Sequence, residues 1–219
     1  MKFPNAASGV KKIYIAQILA LFATLCTGAA LVYASIKGKG ETVEQAVDDL
    51  SGSGLAIVAT AALIGAILLL VAWIVQLVGV IQASRDEDAF KAVLYLIIFA
   101  IIVSIVSAVF SNNETVSNIA NIASDVINLI TTLMIIAGIV DMAAQLGNTD
   151  VPNKGKAIVR IICATLALTI IIKIVMSIFK NDVGTIVAGV LAVIALVLEV
   201  VQFIVYLVFL SRASKILNS

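Results

Sequence analysis

Three polar residues, Glu199, Gln202 and Tyr206, stand at helical spacing in an otherwise apolar stretch near the end of the chain. At i, i+3 and i+7 they share one face of a helix. A carboxylate is costly in hydrocarbon, so this face should point into the interior of a helix bundle. The pattern predicts a binding site for an ion, a proton or a small solute. The alternatives are a neutral, hydrogen-bonded structural carboxyl and a carboxylate near the inner headgroups.

Lys173 is the candidate counter-charge for Glu199. It lies seven residues before Lys180, which is about 10 Å along a helix, so its side chain can also reach the outer headgroups. Measured from Arg212 and Lys180 as opposite membrane edges, Lys173 and Glu199 have similar depths. Measured from the tight turn at 181–182, Glu199 lies about 13 Å deeper. The turn is the firmer reference, and it favours an interfacial lysine over a direct ion pair.

Gln76 and Asp141 occupy equivalent positions near the inner ends of their helices when Lys91 is aligned with Lys156. A polar residue at the interface, close to the lysines of an inner loop, is the simpler interpretation of each. A binding site is the alternative.

The sequence lacks the residue sets that most enzymes and metal proteins use. It contains no His, the commonest general base and transition-metal ligand. There is no phosphate-binding glycine loop, no dinucleotide fingerprint and no pair of catalytic aspartates. Cys26 and Cys163 lie in apolar runs and are interpreted as small buried hydrophobes. We therefore expect no enzymatic activity, no metal and no cofactor.

Composition places most of the chain in lipid. Of 219 residues, 62% are hydrophobic and 12% are charged, and the mean hydropathy is +1.18. Soluble domains are about 45–50% apolar and about 25% charged. The net charge of +1, without a basic stripe, argues against a nucleic-acid partner.

Six apolar segments each exceed the roughly 20 residues that a helix needs to cross a bilayer. They are Ile13–Ile36, Gly54–Ala83, Phe90–Phe110, Val116–Leu146, Ala157–Phe179 and Val183–Ser211. Segments in lipid must be helical to satisfy their backbone hydrogen bonds. The odd segments are shorter than the even ones, and Pro4 and Pro152 lie outside all six. Ala61 and Gly65 form a pair of small residues that lets helices approach closely.

The distribution of basic residues predicts that both termini are cytoplasmic. With that orientation ten Lys and Arg residues lie inside and three lie outside, which is a clear positive-inside bias. The inner ten are Lys2, Lys11, Lys12, Arg85, Lys91, Lys154, Lys156, Arg160, Arg212 and Lys215, and the outer three are Lys37, Lys39 and Lys180.

The chain also shows an internal repeat. A Lys-Ala start at 91–92 recurs at 156–157, and the helix end at 106–113 resembles the one at 175–182. We expect one transmembrane domain over residues 1–219, an all-α bundle of six helices built from three related hairpins. The hairpins cover about 11–84, 89–147 and 154–216.

Three features of the sequence carry a resemblance to a known group of proteins. They are the opening Lys2-Phe3-Pro4-Asn5 and Gly9-Val10-Lys11-Lys12-Ile13, the repeated helix ends at 110–113 and 179–182, and the low aromatic content. In these features the chain resembles uncharacterised multi-pass membrane proteins of Gram-positive bacteria. The resemblance covers most of the chain. It implies a six-helix protein of the cell membrane, and it implies no activity, ligand or catalytic residue.

Two function classes follow as expectations. The first is non-enzymatic transport or binding of a small solute or ion within the bundle, with Glu199, Gln202, Tyr206 and Lys173 as the binding residues. The second is a structural or accessory subunit of a membrane complex. The expected partners are the lipid bilayer and either other membrane proteins or further copies of the chain.

Overall fold

Six long helices make up the part of the chain that the structure describes, as the sequence predicts. The computed structural model describes residues 2–37, 52–109, 114–178 and 182–218, and within these ranges the chain forms helices and no strand. The helices are α1 (Pro4–Lys37), α2 (Ser53–Ala83), α3 (Asp88–Val109), α4 (Glu114–Gln145), α5 (Asp150–Ile178) and α6 (Asp182–Leu217). The predicted all-α fold is confirmed.

Five helices carry a described stretch long and apolar enough to cross a membrane. These stretches are Pro4–Ala34, Gly54–Ala83, Asp88–Val109, Ile122–Gln145 and Ile194–Leu217. Many large apolar side chains on them are exposed, among them Leu63 at 62% and Leu196 at 62%. Such side chains need a lipid solvent, so this is a membrane protein. The predicted span Ala157–Phe179, on α5, ends outside the described residues, and the predicted orientation of the termini stays a prediction.

Three predicted helix boundaries are wrong by about two turns or slightly more. Helix α1 begins at Pro4 instead of Ile13, α5 begins at Asp150 instead of Ala157, and α6 ends at Leu217 instead of Ser211. The added turns are amphipathic and bury one side only. In α1, for example, Ala6 and Val10 are buried. A search for continuous apolar runs stops at the first charges and misses such turns.

The predicted alternation of short and long helices is therefore not found. Helices α1 and α5 contain 34 and 29 residues, close to the 31, 32 and 36 of α2, α4 and α6, and only α3, with 22 residues, is short. The prolines also lie inside helices, but in the first turns of α1 and α5. A first-turn amide has no partner within its helix, so neither helix is broken.

One compact unit comprises Met1–Val10 together with Val80–Ser219. Within it α3 packs mainly against α4, α5 packs mainly against α6, and α4 also contacts α5. The largest fully buried side chains in this unit are Phe90, Ile135, Ile136, Ile139, Met142, Ile158, Phe209, Leu210 and Leu217. Close helix contact is possible at Gly138, where an added Cβ would stand 2.9 Å from the ring of Phe90.

The second unit, Lys11–Gly79, pairs the rest of α1 with most of α2. Ala30, Ala34 and Val58 form its buried cluster, with Ala61 packed against it. A Cβ at Gly65 would stand 2.5 Å from Cγ2 of Thr27, so the close approach that Ala61 and Gly65 predict is confirmed. The predicted repeat of the hairpins stays a prediction, because its helix ends at Phe110 and Phe179 lie outside the described residues.

Candidate functional site

The predicted polar face of α6 is partly buried and partly open. Tyr206 is buried and stacks on Phe209, with ring centroids 6.4 Å apart and planes inclined by 18°. Gln202 is half-buried, whereas Glu199 is exposed. The three residues continue the line of Ala195, which is buried. The face that packs into the bundle at Tyr206 therefore opens to the surroundings at Glu199.

No hydrogen bond joins Glu199, Gln202 and Tyr206, and Glu199 has no ion pair within the described part of the chain. The side chain of Lys173 lies outside the described residues, so its pair with Glu199 stays a prediction. The structure thus puts the three described residues on one face but does not connect them.

A cleft between α4 and α5 is a candidate site among the residues that the structure describes. It has a volume of about 570 Å³. Its lining combines apolar walls with three charged side chains, one from α4 and two from α5. The lining residues are Leu133, Ile136, Ala137, Val140, Asp141, Gly155, Lys156, Val159 and Arg160.

The turn between α4 and α5 brings together the two helices that line the cleft. Gly147 adopts a φ of +74°, which favours glycine, and its amide donates to the carbonyl of Ala144 at 2.9 Å. The amide of Asn148 donates to the carbonyl of Ala143 at 3.0 Å, which completes a Schellman end for α4. The Oδ1 of Asn148 then accepts the Val151 amide at 3.0 Å and caps α5. The turn brings the end of α4 against the start of α5, and the two helices are in contact.

Gly155 forms the floor of the cleft. A Cβ at this position would stand 2.5 Å from Cγ2 of Val140, 3.4 Å from Cγ2 of Ile136 and 3.6 Å from the ring of Phe209. Valine has little rotamer freedom in a helix, so no side chain fits at position 155 without moving a wall. The absence of a side chain there lets α4, α5 and α6 meet behind the cleft.

Three charges stand around the apolar part of the cleft. Asp141, Lys156 and Arg160 are all exposed, and Lys156 and Arg160 share one face of α5 at i and i+4. Among the described residues neither cation has a carboxylate within 4.0 Å. Neither side chain donates a hydrogen bond to another described residue, so the donors of both are available for a ligand.

Asp150, in the first turn of α5, differs from Lys156 and Arg160 because it forms ion pairs. Asp150 contacts Nζ of Lys154 at 2.9 Å and Nη1 of Arg212 at 3.0 Å. Hydrogen bonds from Lys154 and then Arg212 hold the pKa of Asp150 below its ordinary value. The ion pairs of Asp150 with Lys154 and Arg212 join the start of α5 to the end of α6. Lys156 and Arg160 form no such ion pair with a described residue.

The arrangement can bind a molecule with an apolar body and an anionic group. The walls accept the apolar body, and an ammonium beside a guanidinium suits a phosphate, a sulfate or a carboxylate. In the described residues no group of three His, Cys, Asp or Glu side chains is placed to hold a metal ion.

The sequence analysis used Lys156 and Arg160 to orient the chain and Lys156 to align the repeat. For Asp141 it favoured an interfacial residue, with a binding site as the alternative. Their i, i+4 spacing beside an apolar helix face was the available signal. That signal could not show that α4 lies across from them, because the contact depends on the turn at Gly147. Comparison of the chain with protein-family models, with curated proteins and with solved structures gives no match.

Proposed function

We propose that this protein is a non-enzymatic membrane protein that binds a small amphipathic ligand with an anionic group in the α4–α5 cleft. The observation that carries the proposal is the pair of available cations, Lys156 and Arg160, beside an apolar cavity of about 570 Å³. The volume falls within the roughly 300–1,000 Å³ typical of small-molecule sites. With both termini cytoplasmic, the cleft opens near the inner face of the membrane.

A direct test uses the full chain in dodecyl maltoside micelles with dodecyl phosphate as the probe. Binding should be seen by calorimetry and should raise the Tm. The double variant Lys156→Gln/Arg160→Gln should bind much more weakly. A matched control, Lys11→Gln/Lys215→Gln, removes the same charge from two exposed residues outside the cleft and should bind normally. Equal binding by both double variants would contradict the proposal.

The apolar wall needs a separate variant. Ala137 is exposed in the cleft, and Ala137→Phe should fill the space while leaving both cations in place. We expect this variant to lose dodecyl phosphate binding but to retain the wild-type Tm within about 2 °C, because the added ring occupies a cavity and displaces no packed side chain.

The alternative function, a structural or accessory subunit of a membrane complex, is supported by Glu199. This carboxylate is exposed on α6 without a partner among the described residues, and Leu196 one turn away is 62% exposed. A neighbouring protein could cover both. In a background without Cys26 and Cys163, Leu196→Cys should form disulfide-linked dimers under mild oxidation if copies associate here. Tyr95→Cys, on the exposed face of α3, is the control.

A further inference from the structure

We infer that the occupant of the α4–α5 cleft is a bilayer phospholipid with a single negative charge and a hydroxyl-bearing headgroup, of the phosphatidylglycerol type. The inference rests on the proposed function and names its ligand. It is carried by the joint placement of Lys156, Arg160 and Asp141 around apolar walls.

The two cations match a phosphodiester. The guanidinium of Arg160 can donate two parallel hydrogen bonds to phosphate oxygens, and the ammonium of Lys156 adds a compact charge one turn earlier. Basic pockets between helices on the cytoplasmic side of a membrane favour anionic headgroups over neutral ones. Each cation should therefore strengthen binding about 5-fold.

Asp141 limits which chemical groups the lipid headgroup can carry beyond its phosphate. An ionised carboxylate only accepts hydrogen bonds, so it favours the hydroxyl groups of a glycerol headgroup. The cleft should thus favour a headgroup with hydroxyl groups over one without them.

The apolar walls suit an acyl chain that stays within the bilayer. On α4 they extend from Asp141 back to Leu133, eight residues or about 12 Å of helix. Ala137, Lys156 and Arg160 are exposed, so a lipid can enter sideways without crossing the packed interior. A water-soluble phosphate would leave these walls uncovered.

The experiment is native mass spectrometry of the full chain in dodecyl maltoside, with dioleoyl phosphatidylglycerol, phosphatidylserine and phosphatidylcholine added at equal concentration. We expect one bound lipid per chain and a preference for phosphatidylglycerol over phosphatidylcholine of about 25-fold. Lys156→Gln/Arg160→Gln should remove that preference, whereas Lys11→Gln/Lys215→Gln should retain it.

Three outcomes would overturn the inference. These are equal binding of phosphatidylglycerol and phosphatidylcholine, a preference unchanged in Lys156→Gln/Arg160→Gln, and binding of free glycerol phosphate as tight as that of the lipid. If dodecyl phosphate still binds through Lys156 and Arg160 in those cases, the proposed function stands and the phospholipid is wrong. If neither amphiphile binds, both fail.

Discussion

The carboxylate of Asp86 accepts a hydrogen bond from the backbone amide of Ala6 at 2.8 Å, and its second oxygen accepts one from Nδ2 of Asn5, also at 2.8 Å. Asp86 lies in the turn between α2 and α3, eighty residues further along the chain. It supplies α1 with the N-terminal cap that most helices obtain from a neighbouring residue.

Removing this cap should destabilise the protein. Asp86→Ala leaves the Ala6 amide without its acceptor, and loss of an N-cap costs about 0.5–2 kcal/mol. We expect a lower Tm in micelles and faster proteolysis before Lys11. Glu87→Ala is the control, because among the described residues the Glu87 carboxylate accepts a single long hydrogen bond, at 3.5 Å, from the amide of Ala89 in the first turn of α3. Equal losses from the two variants would show that Asp86 is not the cap.

The Asp150 bridge should make stability depend on pH in the acidic range. The folded pKa of Asp150 is lowered from its ordinary value of 3.8 by Lys154 and Arg212. Its contribution is therefore complete above the unfolded value and disappears as the pH falls through the folded value. The Tm of the wild type should exceed that of Asp150→Asn slightly at pH 7, and the difference should shrink as the pH falls below 3.8. A difference that persists unchanged at low pH would exclude the bridge as its cause.

Two glycines of the first hairpin should respond in opposite directions to alanine. A Cβ at Gly65 meets Thr27, so Gly65→Ala must separate α1 and α2 and lower the Tm. A Cβ at Gly28 meets nothing within 4 Å, and alanine favours a helix by about 1 kcal/mol over glycine. Gly28→Ala should be neutral or stabilising. Thermal unfolding of both variants in the same detergent measures the contrast.

The orientation of the chain can be tested by labelling single cysteines in a background that lacks Cys26 and Cys163. Glu44→Cys should react with a membrane-impermeant maleimide in intact cells, because the charge distribution places this segment outside. Asp88→Cys should react only after permeabilisation. The reverse pattern would invert the topology and would move the α4–α5 cleft to the outer face.

Glu199 separates the α4–α5 cleft from the polar face of α6 as the ligand-binding site. It lies outside the α4–α5 cleft, so Glu199→Gln should leave dodecyl phosphate binding unchanged. Glu199→Leu replaces an exposed carboxylate in a membrane-spanning helix with an apolar side chain and should raise the Tm by a few degrees. Loss of ligand binding in Glu199→Gln would instead favour the binding face on α6 that the sequence indicates.

The fold was more predictable from the sequence than the site. Long apolar runs require helices in lipid, so the number and centres of the helices follow from composition alone. The helix ends at Pro4, Asp150 and Leu217 do not follow from composition, because their turns are amphipathic and are stabilised by tertiary contacts. Helical spacing correctly grouped Glu199, Gln202 and Tyr206 on one face. It could not show that Tyr206 is buried and Glu199 exposed, since that depends on where the neighbouring helices end their contact.

The site in the cleft depends on a pairing that no local pattern encodes. Asp141 and Lys156 face a common space because Gly147 and Asn148 reverse the chain between them. Gly155 then brings the walls together. Each residue has a recognisable local role, but the cavity exists only once the two helices are in place.

The distant cap on α1 has a consequence for the order in which the protein is made. The first ten residues pack with the unit that begins at Val80, and the acceptor for the Ala6 amide is residue 86. During synthesis, the start of the first helix emerges before any of these partners exists. The backbone amides at the start of this helix must therefore stay exposed to water until the second helix has been inserted and the following turn has emerged. The amino terminus can therefore dock only after the first hairpin is complete. A chain truncated before residue 86 should leave that terminus accessible to proteases.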